Sequence, residues 1–106
     1  TRHYSIFMIE TSDVSERFYV YILFSLKDRK LYIGFTYNLR KRLTEHARGE
    51  VSATRGRRPL VLIYYEYLVN KKDAKAREKF LKSGFGREQF KKALKDTLKE
   101  LKYKYI

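Results

Sequence analysis

Residues 18–24 place the strongest constraint on the fold, because this run, Phe-Tyr-Val-Tyr-Ile-Leu-Phe, contains only aromatic, β-branched and leucine side chains. Such a composition favours a β-strand. Residues 31–35 form a second run of this kind, and the polar segment between the two runs predicts a turn. The two runs therefore predict an antiparallel hairpin. Both of its faces are largely apolar or aromatic, so we expect it to be covered on both sides.

The segment after the hairpin predicts a helix that begins after Asn38 and ends near Gly49, since these residue types are typical of the two helix ends. Its apolar residues Leu39, Leu43 and Ala47 repeat every four positions, so we expect this stripe to face the core. Residues 50–58 are polar and basic, which predicts a loop.

The remainder of the chain predicts one more strand and two helices. Residues 60–69 are rich in Val, Ile, Leu and Tyr on both faces, which predicts a strand in the centre of the sheet. Residues 71–82 and 87 to about 101 predict helices, separated by a break at residues 83–86. The order β-β-α-β-α-α predicts a small α/β (α+β) domain over residues 18–106. Residues 1–17 are expected to be an N-terminal arm.

The charge of the chain restricts the class of partner. Its 106 residues include 25 Lys and Arg against 12 Asp and Glu, a formal net charge of +13. This excess favours binding to nucleic acid, while an anionic membrane surface and a merely basic soluble protein are the alternatives. The chain has no cysteine, which excludes disulfides and thiol chemistry. We see neither a signal peptide nor a long apolar run, and we expect a cytoplasmic protein with no membrane partner.

Glu78 is the most informative polar residue, because its spacing places it on the packed side of its helix, between Ala74 and Leu81. Burying a carboxylate without a partner is costly. A metal ion, an arginine or a lysine would satisfy it, and the sequence leaves these alternatives open.

Four further residues are candidates for chemistry. Tyr21 and Tyr32 lie on the hairpin, and Arg42 and His46 are one turn apart on the first helix, beside its apolar stripe. Each also has a structural interpretation: cross-strand packing for the tyrosines, an extended surface position for the arginine, and a hydrogen-bonded helix position for the histidine.

Together these residues resemble a known family. Tyr19-Val20-Tyr21 followed by Tyr32-Ile33-Gly34 resembles the paired motif of the GIY-YIG nuclease superfamily. The resemblance extends over about residues 18–92. Its further matching positions are Thr36, Asn38, Leu39, Arg42, Leu43, His46, Arg77 to Lys79, Leu81, Lys82 and Ser83 to Gly86. The last of these segments resembles that of the small stand-alone bacterial and phage members. Two departures are that the first triplet lacks the glycine of the family name, and that no clear equivalent of the family's late asparagine follows Glu78, Gln89 being a poor candidate.

The resemblance implies a small three-stranded antiparallel sheet flanked by helices, and hydrolysis of DNA phosphodiester bonds with one divalent metal, Mg²⁺ or Mn²⁺. Glu78 would hold the metal, and Arg42 would stabilise the charge on the scissile phosphate. Either tyrosine would activate the attacking water; we favour Tyr32 as the general base and Tyr21 as the group that positions the water. His46 would orient a group or relay a proton. Gly34 would let a backbone or a phosphate approach the sheet, or would mark a strand bulge.

Basic side chains are expected to grip the DNA, which would be duplex or branched. They are Arg40, Lys41, Arg55, Arg57, Arg58, Lys71, Lys72 and Lys75. Tyr37 is a further candidate for stacking on bases. The rival interpretations are a non-catalytic nucleic-acid-binding module and the catalytic fragment of a larger repair or recombination enzyme.

Overall fold

A computed structural model describes residues 17–103 of the chain. It contains three strands and five helices within that range. In chain order they are β1 (Phe18–Ser25), β2 (Leu31–Thr36), α1 (Leu39–Ala47), α2 (Ser52–Arg55), β3 (Leu60–Leu68), α3 (Lys71–Lys82), α4 (Gly84–Ala93) and α5 (Lys95–Glu100).

The three strands form one antiparallel sheet in the order β2-β1-β3. The predicted hairpin and the predicted α+β class are therefore confirmed. The predicted central position of the third strand is wrong, since β1 lies in the centre and pairs with both neighbours. The apolar composition of β3 was misleading because several of its residues are tyrosines, and on one face of the sheet these remain in contact with solvent.

The two faces of β1 have different surroundings. One face, with Phe18, Val20, Ile22 and Phe24, packs against the helices of the C-terminal half. Those helices contribute the buried residues Ala74, Leu81, Phe90 and Leu98 to the same core. The opposite face of β1 carries Tyr19, Tyr21 and Leu23, since successive side chains of a strand point to opposite faces.

Helix α1 has the predicted bounds but not the predicted orientation. Asn38 caps it by accepting a hydrogen bond from the Lys41 backbone N–H. His46, at 2% exposure, is its buried residue, whereas Leu39 and Leu43 of the predicted core stripe are only half-buried. The helix is turned this way because the sheet presents to it the hydroxyl of a buried tyrosine, which hydrogen-bonds to the imidazole.

Two other predicted boundaries are corrected. The predicted loop at residues 50–58 contains the single helical turn α2. The predicted helix from residue 87 to about 101 is two helices, and the first of them begins at Gly84 because Ser83 caps it through the Gly86 N–H. The break falls at Leu94, whose backbone leaves the helical conformation.

The predicted N-terminal arm lies outside the described residues except for Arg17. Among residues 17–103, no helix has both the length and the apolar content needed to cross a bilayer.

The different burial of Leu81 and Phe85 predicts that their substitutions change the free energy of unfolding by different amounts. Leu81→Ala should lower the free energy of unfolding by about 2–5 kcal/mol, because it leaves a cavity where Leu81 is fully buried. Phe85→Ala removes a larger side chain that is 83% exposed and should change the free energy by less than about 0.5 kcal/mol. Urea unfolding of the two variants measures this difference, and equal losses would contradict the assignment.

Candidate active site

The site is centred on Tyr21, a fully buried tyrosine in the middle of the central strand. Its ring lies directly over Gly34, its partner across the β1–β2 pair. A Cβ at position 34 would overlap this ring, so the glycine is required by the tyrosine. The close approach expected at Gly34 is thus made by a phenol ring from the neighbouring strand. The one register shift in the described sheet lies in the β1–β3 pair and not at this glycine.

A chain of side-chain hydrogen bonds joins the sheet to α1 and α2. The Tyr21 hydroxyl lies 2.7 Å from Nε2 of His46, and Nδ1 of the same imidazole lies 2.7 Å from Oγ1 of Thr54. All three residues are buried. Sequence reasoning missed Thr54, because the polar segment around it predicted a loop.

Within this hydrogen-bond chain, the His46 imidazole and the Tyr21 phenol are both uncharged at neutral pH. Burial lowers the pKa of His46 to about 4, and the nearby Arg42 charge acts in the same direction. Burial likewise raises the pKa of Tyr21 to about 12, with a further rise caused by Tyr32. The neutral imidazole therefore donates through one nitrogen and accepts through the other.

Tyr32 lies beside this chain on the same face of the sheet. Its ring centroid is 5.3 Å from that of His46 and 6.3 Å from that of Tyr21. Unlike Tyr21, Tyr32 is only half-buried. Of the two motif tyrosines, it is the one that solvent reaches.

Arg42 projects from α1 next to the Tyr21 phenol, whose pKa it lowers in opposition to burial. One nitrogen of its guanidinium, Nη1, donates a 3.0 Å hydrogen bond to Oε1 of Glu45. This bond raises the pKa of Arg42. Glu45 lies one turn further along the helix and was not singled out in the sequence.

Arg42 and Glu45 line a shallow cavity of about 260 Å³ at the C-terminal end of β2, called here the β2 cleft. Phe35 and Lys41 are also among its lining residues. Its α1 residues, Lys41, Arg42 and Glu45, form one wall of the cleft.

Glu78 lies on α3, which packs against the other face of the sheet. Its carboxylate is 17% exposed and forms ion pairs with Nζ of Lys75 at 3.7 Å and with Nζ of Lys82 at 3.0 Å. The Lys75 ammonium also lies 4.1 Å from the centre of the Phe35 ring in the β2 cleft. The negative charge of Glu78 reaches the Tyr21 phenol and contributes to its raised pKa.

The neighbour of Glu78 in the sequence fixes the position of α3. Arg77 donates hydrogen bonds of 2.8–3.0 Å from Nε and Nη2 to the carboxylate of Glu66 on β3. Such a two-pronged pair has a defined geometry. It ties α3 to the sheet one residue before Glu78.

The donor set of the site fits a hard divalent cation held by few protein ligands. Across residues 17–103, no three His, Cys, Asp or Glu side chains lie close enough together to form a complete metal site. Glu78 supplies one carboxylate, the oxygen ligand that Mg²⁺ and Mn²⁺ prefer. The other coordination positions would be left to water and to substrate oxygens.

The basic residues expected to bind DNA divide into two groups. Around the β2 cleft, Lys41 lines the cavity and the Lys71 ammonium lies 5.6 Å from the Tyr37 ring centre. Lys41 and Arg40 belong to α1, and Lys71, Lys72 and Lys75 belong to α3. Arg55, Arg57 and Arg58 lie elsewhere, near the start of β3.

Two arginines of the second group are engaged within the protein. Arg57 pairs with Asp28, with Nε 2.6 Å from Oδ2, and also donates to the Leu31 carbonyl. Arg58 packs its guanidinium against Gly49, which has a positive φ, and donates to two backbone carbonyls. Folding therefore gives each of these two arginines a structural partner, and their contact with DNA stays a prediction.

The arrangement of two motif tyrosines, an arginine on the first helix and a glutamate on a later helix defines a class of protein. The family model described as the GIY-YIG catalytic domain matches residues 17–93. The chain belongs to the GIY-YIG family, a family of nuclease domains that generally depend on a divalent metal.

Similar proteins span nearly the same length. The UPF0213 protein CPE1444 of Clostridium perfringens is 40% identical over 80% of this chain and 91% of its own length. The UPF0213 protein SH2523 of Staphylococcus haemolyticus is 39% identical over 74% of this chain and 94% of its own. The comparison with solved structures gave no match.

The low pKa of His46 predicts a pH-dependent stability. In the unfolded chain an ordinary histidine takes up a proton as the pH falls below about 6.5, whereas folded His46 stays neutral down to about pH 4. Stability should therefore be complete above about pH 6.5 and fall between there and pH 4, by up to about 1.4 kcal/mol per pH unit.

Urea unfolding of the native chain and of His46→Gln at several pH values measures this contribution. The free-energy difference between the two proteins should shrink as the pH falls over this interval. A difference that stays constant would show that the imidazole is not held in its neutral form.

Proposed function

We propose that this protein is a metal-dependent endonuclease that hydrolyses phosphodiester bonds in DNA. The observation that carries the proposal is the convergence of Tyr32, Arg42 and Glu78 on a single buried phenol, that of Tyr21, although they come from three different elements. A packed core explains a buried tyrosine but does not require a cation and a carboxylate beside it. A site for phosphoryl transfer needs both charges.

Arg42 is proposed to stabilise the negative charge that builds up on the scissile phosphate. Glu45 and the Tyr21 phenol engage the guanidinium and thereby orient it, while the donors that they do not use are left for phosphate oxygens. Its side chain is 36% exposed, so a phosphate in the β2 cleft is within its reach.

Tyr32 is proposed to be the group that activates the attacking water, because it is the motif tyrosine with access to solvent. Tyr21 is proposed to act through its neighbours. It is fully buried, so it is better suited to hold His46 and the Tyr32 ring in place than to touch the water itself. His46 is then a positioning residue, fixed by Thr54 on its other side.

Glu78 is proposed to hold the divalent metal, Mg²⁺ or Mn²⁺. When bound, the metal would supply positive charge next to the scissile phosphate. Lys75 and Lys82 pair with the carboxylate and hold it along α3, and the bound cation would partly displace them.

DNA is the proposed substrate, either duplex or branched, and the basic side chains of α1 and α3 are proposed to contact its phosphates. A place in a larger repair or recombination assembly is compatible with the small size of the domain. Comparing cleavage of linear, supercoiled, branched and flapped DNA tests for a preference of that kind.

A non-catalytic DNA-binding module is the second candidate function. It is favoured by one observation, that both oxygens of Glu78 already face lysine ammonium groups. That module would bind DNA in a salt-dependent way and cleave none with any divalent metal.

The nuclease proposal predicts Mg²⁺-dependent nicking of supercoiled plasmid. Arg42→Ala and Glu78→Gln should each reduce the nicking rate at least about 100-fold, since each removes a charge that acts on the transition state. DNA binding measured in EDTA should change far less than the rate.

A matched control exists for each of the two charges, that of Arg42 and that of Glu78. Arg48→Ala removes an exposed arginine that ends the same helix, and Glu88→Gln removes an exposed carboxylate of α4. Both should nick DNA at the native rate. Nicking by highly purified Glu78→Gln protein at the native rate would remove Glu78 from its role, and a native chain that binds but never cleaves would favour the binding module.

The two groups of basic residues predict opposite effects of two substitutions. Lys41→Ala should lower the slope of log K against log salt by about 1 for DNA binding and leave stability unchanged, because it removes one phosphate contact. Arg57→Ala should lower the free energy of unfolding by about 1–2 kcal/mol, because it breaks the pair with Asp28. Its salt slope should remain native; a lower slope would return Arg57 to the DNA surface.

A further inference from the structure

Two exposed tyrosines and one half-buried tyrosine lie on the sheet face that also carries Tyr21. Tyr65 and Tyr67 of β3 are 52% and 43% exposed, and Tyr19 of β1 lies between them. The Tyr19 ring centre is 6.2 Å from that of Tyr65 and 5.6 Å from that of Tyr67. Within residues 17–103 the hydroxyls of these three side chains make no hydrogen bond. We call this set the tyrosine surface.

The tyrosine surface borders a cavity with basic walls. This cavity, about 550 Å³ in volume, is lined by Tyr19 and Tyr65 on the sheet and by Arg17 and Arg40 at its sides. The guanidinium groups give it positive charge beside aromatic rings. That combination is complementary to a nucleic acid strand, in which bases alternate with phosphates.

The cavity is continuous with the β2 cleft. Tyr37 and Asn38 line both, so a single surface passes around the N-terminal end of α1 from one to the other. The register supports this proximity, since Tyr65 pairs directly with Tyr21 and Tyr67 pairs with Tyr19. Neighbouring strands lie about 4.8 Å apart, so the tyrosine surface is adjacent to the centre of the candidate site.

We propose that Tyr19, Tyr65 and Tyr67 stack against unpaired bases of a nucleic acid strand. In a duplex the faces of the bases are already stacked on one another, so side chains can stack only on bases that are unpaired. The inference deepens the proposed function and rests on it for one point, that the same strand continues into the β2 cleft. The substrate class is then DNA with a single-stranded stretch next to the cleaved bond, such as a tail or a flap.

The test separates base stacking from charge. Fluorescence anisotropy in EDTA compares a labelled 12-nucleotide single strand with an abasic oligomer of the same length and charge. The native chain should bind the base-containing strand more tightly. The double variant Tyr65→Ala with Tyr67→Ala should bind that strand about 5- to 100-fold more weakly and bind the abasic oligomer as the native chain does.

Two matched variants keep the result interpretable. Replacing both tyrosines by phenylalanine keeps the rings and should retain the preference for bases, even if the alanine variant folds poorly. Phe85→Ala removes a still more exposed ring from α4, on the helical side of the protein, and should also retain the preference for bases.

Several outcomes would overturn the proposal. One is equal affinity of the native chain for the two oligomers; another is an alanine variant with native preference for bases. A third is that the alanine changes alter the sedimentation of the free protein and not its DNA binding, which would make this surface a contact between copies of the chain. If the native chain prefers the base-containing strand but cleaves no DNA with any divalent metal, the nuclease proposal alone would be refuted.

Discussion

The hydrogen-bond chain from Tyr21 through His46 to Thr54 is the interaction on which the site depends. His46 is the buried residue of α1, so a polar contact more than apolar packing fixes this helix against the sheet. Arg42 lies on the same helix, one turn earlier, and its position therefore follows from that contact. Removing one member would leave a buried polar group without its partner, at a cost of about 1–3 kcal/mol.

Strand β1 has two structural roles because its side chains alternate between the two faces of the sheet. One face supplies the apolar core and the stability that comes from its burial. The other face supplies Tyr21 for the candidate site and Tyr19 for the tyrosine surface. The core thus supports a second face on which Tyr21 and Leu23 are also buried while Tyr19 is partly exposed.

The large positive charge is divided between folding and binding. Arg57 and Arg77 each pair with a carboxylate inside the fold, and Arg58 donates to backbone carbonyls. The basic side chains of α1 and the start of α3 lie around the β2 cleft and remain exposed. The net charge alone does not distinguish these two roles, since an arginine of either kind contributes equally to the total.

The sequence by itself determined the hairpin, the bounds of α1 and α3 and the candidate residues of the family motif, because these depend on local composition and spacing. It did not determine that β1 is central, which depends on pairing with a strand some forty residues later. Tyr21 and Tyr32 look alike in the sequence, and only packing against α1 and Gly34 made one buried and left the other accessible. The tyrosine surface also depends on tertiary structure, since strand register brings Tyr19 beside Tyr65 and Tyr67.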